Sequence, residues 1–139
     1  MASPITSWGE GRVLDLPGRG RTWVRDIPGP TPDAPVVLLL HGFTATADLN
    51  WVTSYSSLAK RYRVLAIDHR GHGRGIRSRR PFRLEDCADD AAAACAALGL
   101  ERVVACGYSM GGPIAMLLWR RHPALVRGLV LCATARRFG

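Results

Sequence analysis

A mostly parallel β-sheet with flanking helices, the α/β class, follows from three observations. The run Val36-Val37-Leu38-Leu39-Leu40 is continuously apolar, which suits a strand covered on both faces. Residues 84–98 carry an apolar stripe at helical spacing: Leu84, Cys87, Ala88, Ala91, Ala94, Cys95 and Leu98. From residue 36 onward strand-like and helix-like segments alternate, which implies parallel pairing through right-handed crossovers.

Taken in order, residues 12–16 and 22–27 are two weak strands joined by a Pro-Gly-Arg-Gly turn. The Pro-rich stretch 28–35 reads as an extended connector to the strand at 36–40. Residues 51–62 have helical spacing, with Trp51, Tyr55, Leu58 and Ala59 on one side. Residues 63–67 form the next strand, and Asp68 sits at its end. In the helix at 84–98, Glu85 and Asp86 favour the N-terminal dipole end and Gly99 suits the C-terminal cap. Asp86, Asp89 and Asp90 are expected to form its solvated face. Residues 102–106 form a third core strand, 110–121 a helix closed by Pro123, and 128–133 a fourth core strand.

The 139 residues are enough for one domain with a real core. Apolar residues make up 47 % and charged residues 22 %, a globular mixture. No apolar stretch reaches the roughly 18 residues of a membrane helix. Residues 1–11 lack the apolar centre of a secretory leader, so a cytoplasmic location is expected. Cys87, Cys95, Cys106 and Cys132 form no C-x-x-C pair, and buried reduced thiols are the expectation. Net charge is +8, and Lys60 is the only lysine. An arginine cluster runs through Arg70, Arg74, Arg77, Arg79, Arg80 and Arg83. It contains only Phe82 as an aromatic and belongs to no nucleic-acid module, so it is not read as a nucleic-acid surface.

Three motifs carry chemistry. Gly107-Tyr108-Ser109-Met110-Gly111-Gly112 follows a core strand and opens a helix, the context of a G-x-S-x-G nucleophile elbow. A sharp turn there pushes the serine out of the sheet, and its neighbours must be small. Gly107 and Gly111 meet that need, and Gly112 permits close helix–sheet packing. The helix end beneath Ser109 favours developing negative charge. The second motif, His41-Gly42-Phe43, follows the 36–40 strand. A tetrahedral oxyanion needs two placed N–H donors, and Phe43 and Met110 occupy the fitting positions. His41 is expected to be structural rather than a general base. The third, Asp68-His69-Arg70-Gly71-His72-Gly73, is a charged turn in which Asp68 ties neighbouring loops together. Two histidines three apart on a turn make a poor zinc site, and no metal is expected.

In this order and spacing the three motifs resemble the α/β-hydrolase fold superfamily, over residues 36–133. The weak N-terminal strands fit the antiparallel start of that fold. The resemblance implies Ser109 as nucleophile, Phe43 and Met110 as oxyanion-hole donors, no cofactor, and a small-molecule ester or related acyl substrate. From the composition above, no nucleic-acid or membrane partner is expected, and the sequence specifies no oligomeric state. On the same resemblance His122 is an ordinary surface residue, and serine at the elbow argues against dehalogenase or epoxide hydrolase chemistry, which uses aspartate there.

One departure is large. In this family the acid and the histidine follow the serine in the chain. After Ser109 the only histidine is His122, and no Asp or Glu occurs. The expectation is therefore an incomplete α/β-hydrolase fold, the N-terminal portion of a single domain spanning 1–139. A serine hydrolase lacking its C-terminal strands, cap, acid and histidine is the first reading. A catalytically inactive remnant or binding module is the second. The 128–133 strand would then present an exposed apolar edge.

Overall fold

The computed structural model describes Gly9 and residues 11–134. The segment 1–8, part of the stretch read for a leader, lies outside the described residues. The chain runs β1 (Gly11–Leu16), β2 (Gly20–Ile27), β3 (Val36–Leu40), α1 (Ala47–Trp51), α2 (Tyr55–Ala59), β4 (Arg63–Ile67), α3 (Leu84–Ala97), β5 (Val103–Tyr108), α4 (Gly111–Arg121) and β6 (Val126–Cys132).

These strands form one sheet in the order β1-β2-β4-β3-β5-β6. β1 and β2 form an antiparallel hairpin, and β2 joins β4 antiparallel. The remaining pairs, β4 with β3, β3 with β5 and β5 with β6, are parallel. The central position of β3 explains its unbroken apolar run: all five residues are buried. Leu38 and Leu40 enter the layer with α3 and α4, whereas Val37 and Leu39 pack with Trp51 and Tyr55 of α1 and α2. Removing each of these leucines from water contributes roughly 2 kcal/mol.

The helical pattern at 51–62 resolves into two short helices rather than one. Thr46 caps the first, accepting from Leu49 N at 3.1 Å, and so starts it four residues earlier than Trp51. A turn closed by Ser54 N to Trp51 O at 2.8 Å separates it from α2.

The acidic face of α3 also differs from expectation. Asp90 is 2 % exposed and accepts from Arg70 Nε and Nη2 at 2.7 and 2.8 Å and from Arg19 Nε at 2.7 Å. Asp89 holds Arg121 through two bonds of 2.9 and 2.8 Å. Only long-range partners make this burial possible, since an unpaired buried carboxylate would be costly.

Cys87, Cys95 and Cys106 are buried free thiols, and Cys132 is half-buried. β6 lies at the edge of the described sheet with Val130 47 % and Leu131 42 % exposed.

Candidate active site

β3, β4 and β5 run parallel, so the turns that follow them gather at one edge of the sheet. Those turns hold His41-Gly42-Phe43, Asp68 to Gly73, and Ser109. A Cβ placed on Gly42 would lie 3.3 Å from Ser109 Cβ, which sets the His41-Gly42-Phe43 loop in contact with the serine elbow.

Ser109 has φ +54°, a left-handed conformation that costs a non-glycine residue on the order of 1–3 kcal/mol. The surroundings impose it. A Cβ on Gly107 would strike the carbonyl oxygen of Gly111, and one on Gly111 would strike that of Leu40. The turn is thus wedged between its own helix and the central strand, and both flanking residues must be glycine. The main chain of Ser109 is clamped as well. Its N–H donates to Cys132 O at 3.0 Å, and its carbonyl accepts from Gly112 N at 2.9 Å and from Thr134 Oγ1 at 2.5 Å. Met110, buried, follows as the residue before α4. Among the described residues, no turn, loop or cap hydrogen bond takes up the N–H of Met110 or of Phe43.

The Phe43 loop is fixed from below. Gly42 N donates to Asn50 Oδ1 at 2.8 Å. His41 is fully buried, and both of its ring nitrogens are committed. His69 N donates to Nε2 at 2.9 Å, so Nδ1 carries the proton and donates to Gly42 O at 2.7 Å. No lone pair is left to take a proton from Ser109. Burial pushes its pKa below 6.5. His69 donates from Nε2 to His41 O at 3.1 Å, leaving a buried Nδ1 without a partner among the described residues. Burial, with His41 alongside, holds its pKa well below 6.5.

Asp68, fully buried, accepts from Ala47 N at 2.8 Å and Arg74 N at 3.0 Å, joining the start of α1 to the turn after β4. Phe43 itself is 64 % exposed, and its ring meets His72 edge-on at 5.6 Å.

His122 stands apart. It follows the C-terminal end of α4, whereas Ser109 precedes its N-terminal end. Eleven helical residues at about 1.5 Å each separate them by about 16 Å. Its Nε2 lies 2.8 Å from Asp89 Oδ1, on the far side of the domain from the elbow. Among the described residues, no hydrogen bond joins Ser109 Oγ to a histidine, and no group of three or more His, Cys, Asp or Glu side chains is arranged to hold a metal. No helix among them is long and apolar enough to cross a membrane. Burial pushes the thiols of Cys87, Cys95 and Cys106 up to about 12, which leaves them protonated at neutral pH.

Asn50 and Thr134 were not among the residues expected at the site. Each makes a polar bond to the main chain of a site turn, Asn50 to Gly42 and Thr134 to Ser109, and no spacing rule marks such residues.

A parallel sheet with a strained serine on a strand-to-helix turn, beside a loop rich in main-chain contacts, is the layout of the α/β hydrolase class. The profile of the α/β hydrolase fold matches residues 35–138, and the chain belongs to that family. Among curated proteins it is 33 % identical to epoxide hydrolase B of Mycobacterium tuberculosis over 122 residues, 86 % of this chain and 34 % of that one. It is 34 % identical to a putative carbamate hydrolase RutD of Caulobacter sp. strain K31, over 74 % of this chain and 38 % of the relative. The enol-lactonase from Burkholderia xenovorans LB400 superposes with a TM-score of 0.85 at 28 % identity, covering 92 % of this chain and 48 % of that structure. The chain thus spans about a third of the length of these curated relatives and half of that structure.

Proposed function

We propose that this chain carries the nucleophile portion of a serine hydrolase acting on ester or related acyl substrates. The observation that carries the reading is Ser109 at φ +54°, wedged between Gly107 and Gly111 and in contact with the Phe43 loop. Ser109 Oγ attacks the substrate carbonyl carbon while a base takes its proton. The carbonyl π electrons move onto oxygen, and the N–H groups of Phe43 and Met110 receive that oxyanion. Collapse expels the leaving alkoxide, which takes the proton back from the base. Water then releases the acid by the same steps in reverse order of groups.

The base and its orienting acid belong, on this reading, to residues outside the 139. Residues 1–139 are then the N-terminal portion of one domain, and two features support this. β6 has an apolar sequence yet exposes Val130 and Leu131 at a sheet edge. Beside it an apolar groove of about 240 Å³ is lined by Val37, Leu58, Tyr62, Val104, Cys106 and Val130. Further chain packed there would bury both.

Serine in place of aspartate favours acyl over epoxide substrates, although an epoxide hydrolase is among the relatives. A second reading, an inactive or binding module of the same fold, draws on the missing base, because a serine without one is a weak nucleophile.

Fluorophosphonate labelling and ester turnover by a longer chain that also carries the base and acid, against Ser109→Ala in that chain, test the first reading. Ser109-dependent labelling and turnover are expected. A folded longer chain that stays unlabelled, or a variant that labels and turns over equally, would overturn it in favour of the second.

A further inference from the structure

The arginine cluster has no part in the serine chemistry, and its members are not equivalent. Arg70 forks onto Asp90. Arg74 lies 3.5 Å over the Trp23 ring, Arg77 donates to Gly73 O, and Arg83 holds Glu85 at 2.8 Å. The guanidinium groups of Arg79 and Arg80 have no partner among the described residues.

Arg80 lines a polar cleft of about 230 Å³ with Gly18, Arg19, Arg70, Ser78 and Asp86. Arg70 and Arg19 Nε are spent on Asp90 behind the cleft. Arg19 Nη2 donates to Asp86 O at 3.2 Å, and no described residue bonds its Nη1. Asp86 is the one carboxylate lining the cleft, and it stays 3.7 and 3.9 Å from Arg19 and Arg70, beyond good hydrogen-bond reach. Ser78 Oγ accepts from Arg80 N at 3.1 Å, which leaves its O–H to donate. Two guanidinium groups and a hydroxyl around a small polar hollow form a donor set for an oxyanion.

The cleft also connects to the serine. Phe82 follows Arg80 by two residues, and its ring lies 5.7 Å from His72, which lies 5.6 Å from Phe43. Phe43 and Phe82 are 64 % and 43 % exposed. Two exposed aromatic rings, with the buried His72 between them, therefore lie between the loop beside Ser109 and the arginine loop.

We infer that the cleft binds an oxyanion, a phosphate or carboxylate group, carried by the acyl substrate at the end of an apolar spacer that lies over Phe82 and Phe43. The carbonyl end of this inference rests on the hydrolase reading; the anion end does not. Inorganic phosphate is titrated into the full chain while backbone amide resonances are followed. Saturable shifts at residues 18–19 and 78–80 are expected, at least tenfold weaker binding in Arg80→Ala, and unchanged binding in Arg79→Ala and Ser109→Ala. Absent saturation, or equal weakening in Arg79→Ala, would overturn the site as a diffuse positive field. Fluorophosphonates with carboxylate, phosphate or neutral tails then separate the sources. The preferred anionic tail should label Ser109 at least tenfold faster than the neutral one, with the advantage lost in Arg80→Ala. Equal rates for all three would overturn the link to the substrate. These labelling arms use the longer chain that also carries the base and acid, and phosphate binding without any labelling there would instead count against the hydrolase reading alone.

Discussion

The turn after β5 and the turn after β4 end at the same edge of the sheet, with β3 between them, yet they are held by different forces. The Ser109 turn contains no buried charged side chain. It is set by volume, by glycines against main chain, by the Ser109 N–H bond to Cys132 O and by donors from Thr134 and Gly112 to Ser109 O. The Asp68–Gly75 turn is set by buried polar side chains: Asp68, His69, Arg70 and His72 are all under 10 % exposed. Strain can be stored at Ser109 because packing over-determines it. The polar turn instead keeps the Phe43 loop in place through His41, and burial favours the uncharged form of His41 and His69 there.

The comparison breaks most sharply at Gly111. Gly111→Ala places a methyl on the Leu40 carbonyl, in the central strand, where neither side can yield cheaply. A loss of about 3 kcal/mol or more, or of cooperative unfolding altogether, is expected in urea denaturation. A loss below about 1 kcal/mol would show that the elbow is not fixed by volume.

The polar turn should answer to pH instead. His41 and His69 both have folded-state pKa values below 6.5, so the unfolded chain binds protons first as pH falls. Stability is therefore constant above 6.5 and declines below it, by at most about 1.4 kcal/mol per pH unit for each histidine. Asp89, held by Arg121 at about 2, adds a separate loss only between 3.8 and 2. Urea midpoints between pH 7.5 and 5 check this. His69→Gln keeps a donor for His41 O and should remove about half the slope; an unchanged slope would place the titration elsewhere.

The two regions were also unequally legible in the sequence. Volume-driven features have local signatures: a continuous apolar run marks β3, a stripe at helical spacing marks α3, and glycines around Ser109 mark the elbow. Polar features depend on partners far along the chain. Asp90 reads as solvated on a helix because Arg19, 71 residues away, and Arg70, 20 away, leave no trace in the local pattern. The tautomer of His41 follows only once His69 N is seen to donate to it. The start of α1 was missed because its cap, Thr46, lies before the apolar pattern begins.

The smallest effect should come from Thr134, where a polar bond reaches into the volume-controlled turn. Its hydroxyl is one of two donors to Ser109 O, and Gly112 N remains when it is removed. Thr134→Val keeps the shape and deletes the bond, so a loss of about 1 kcal/mol is expected. If Thr134 also holds Ser109 in its strained conformation, fluorophosphonate labelling of the longer chain that carries the base should slow several-fold while the fold persists. Labelling at the original rate would mean that glycine packing alone sets the serine, and that the bond serves only to hold the end of β6 against the elbow.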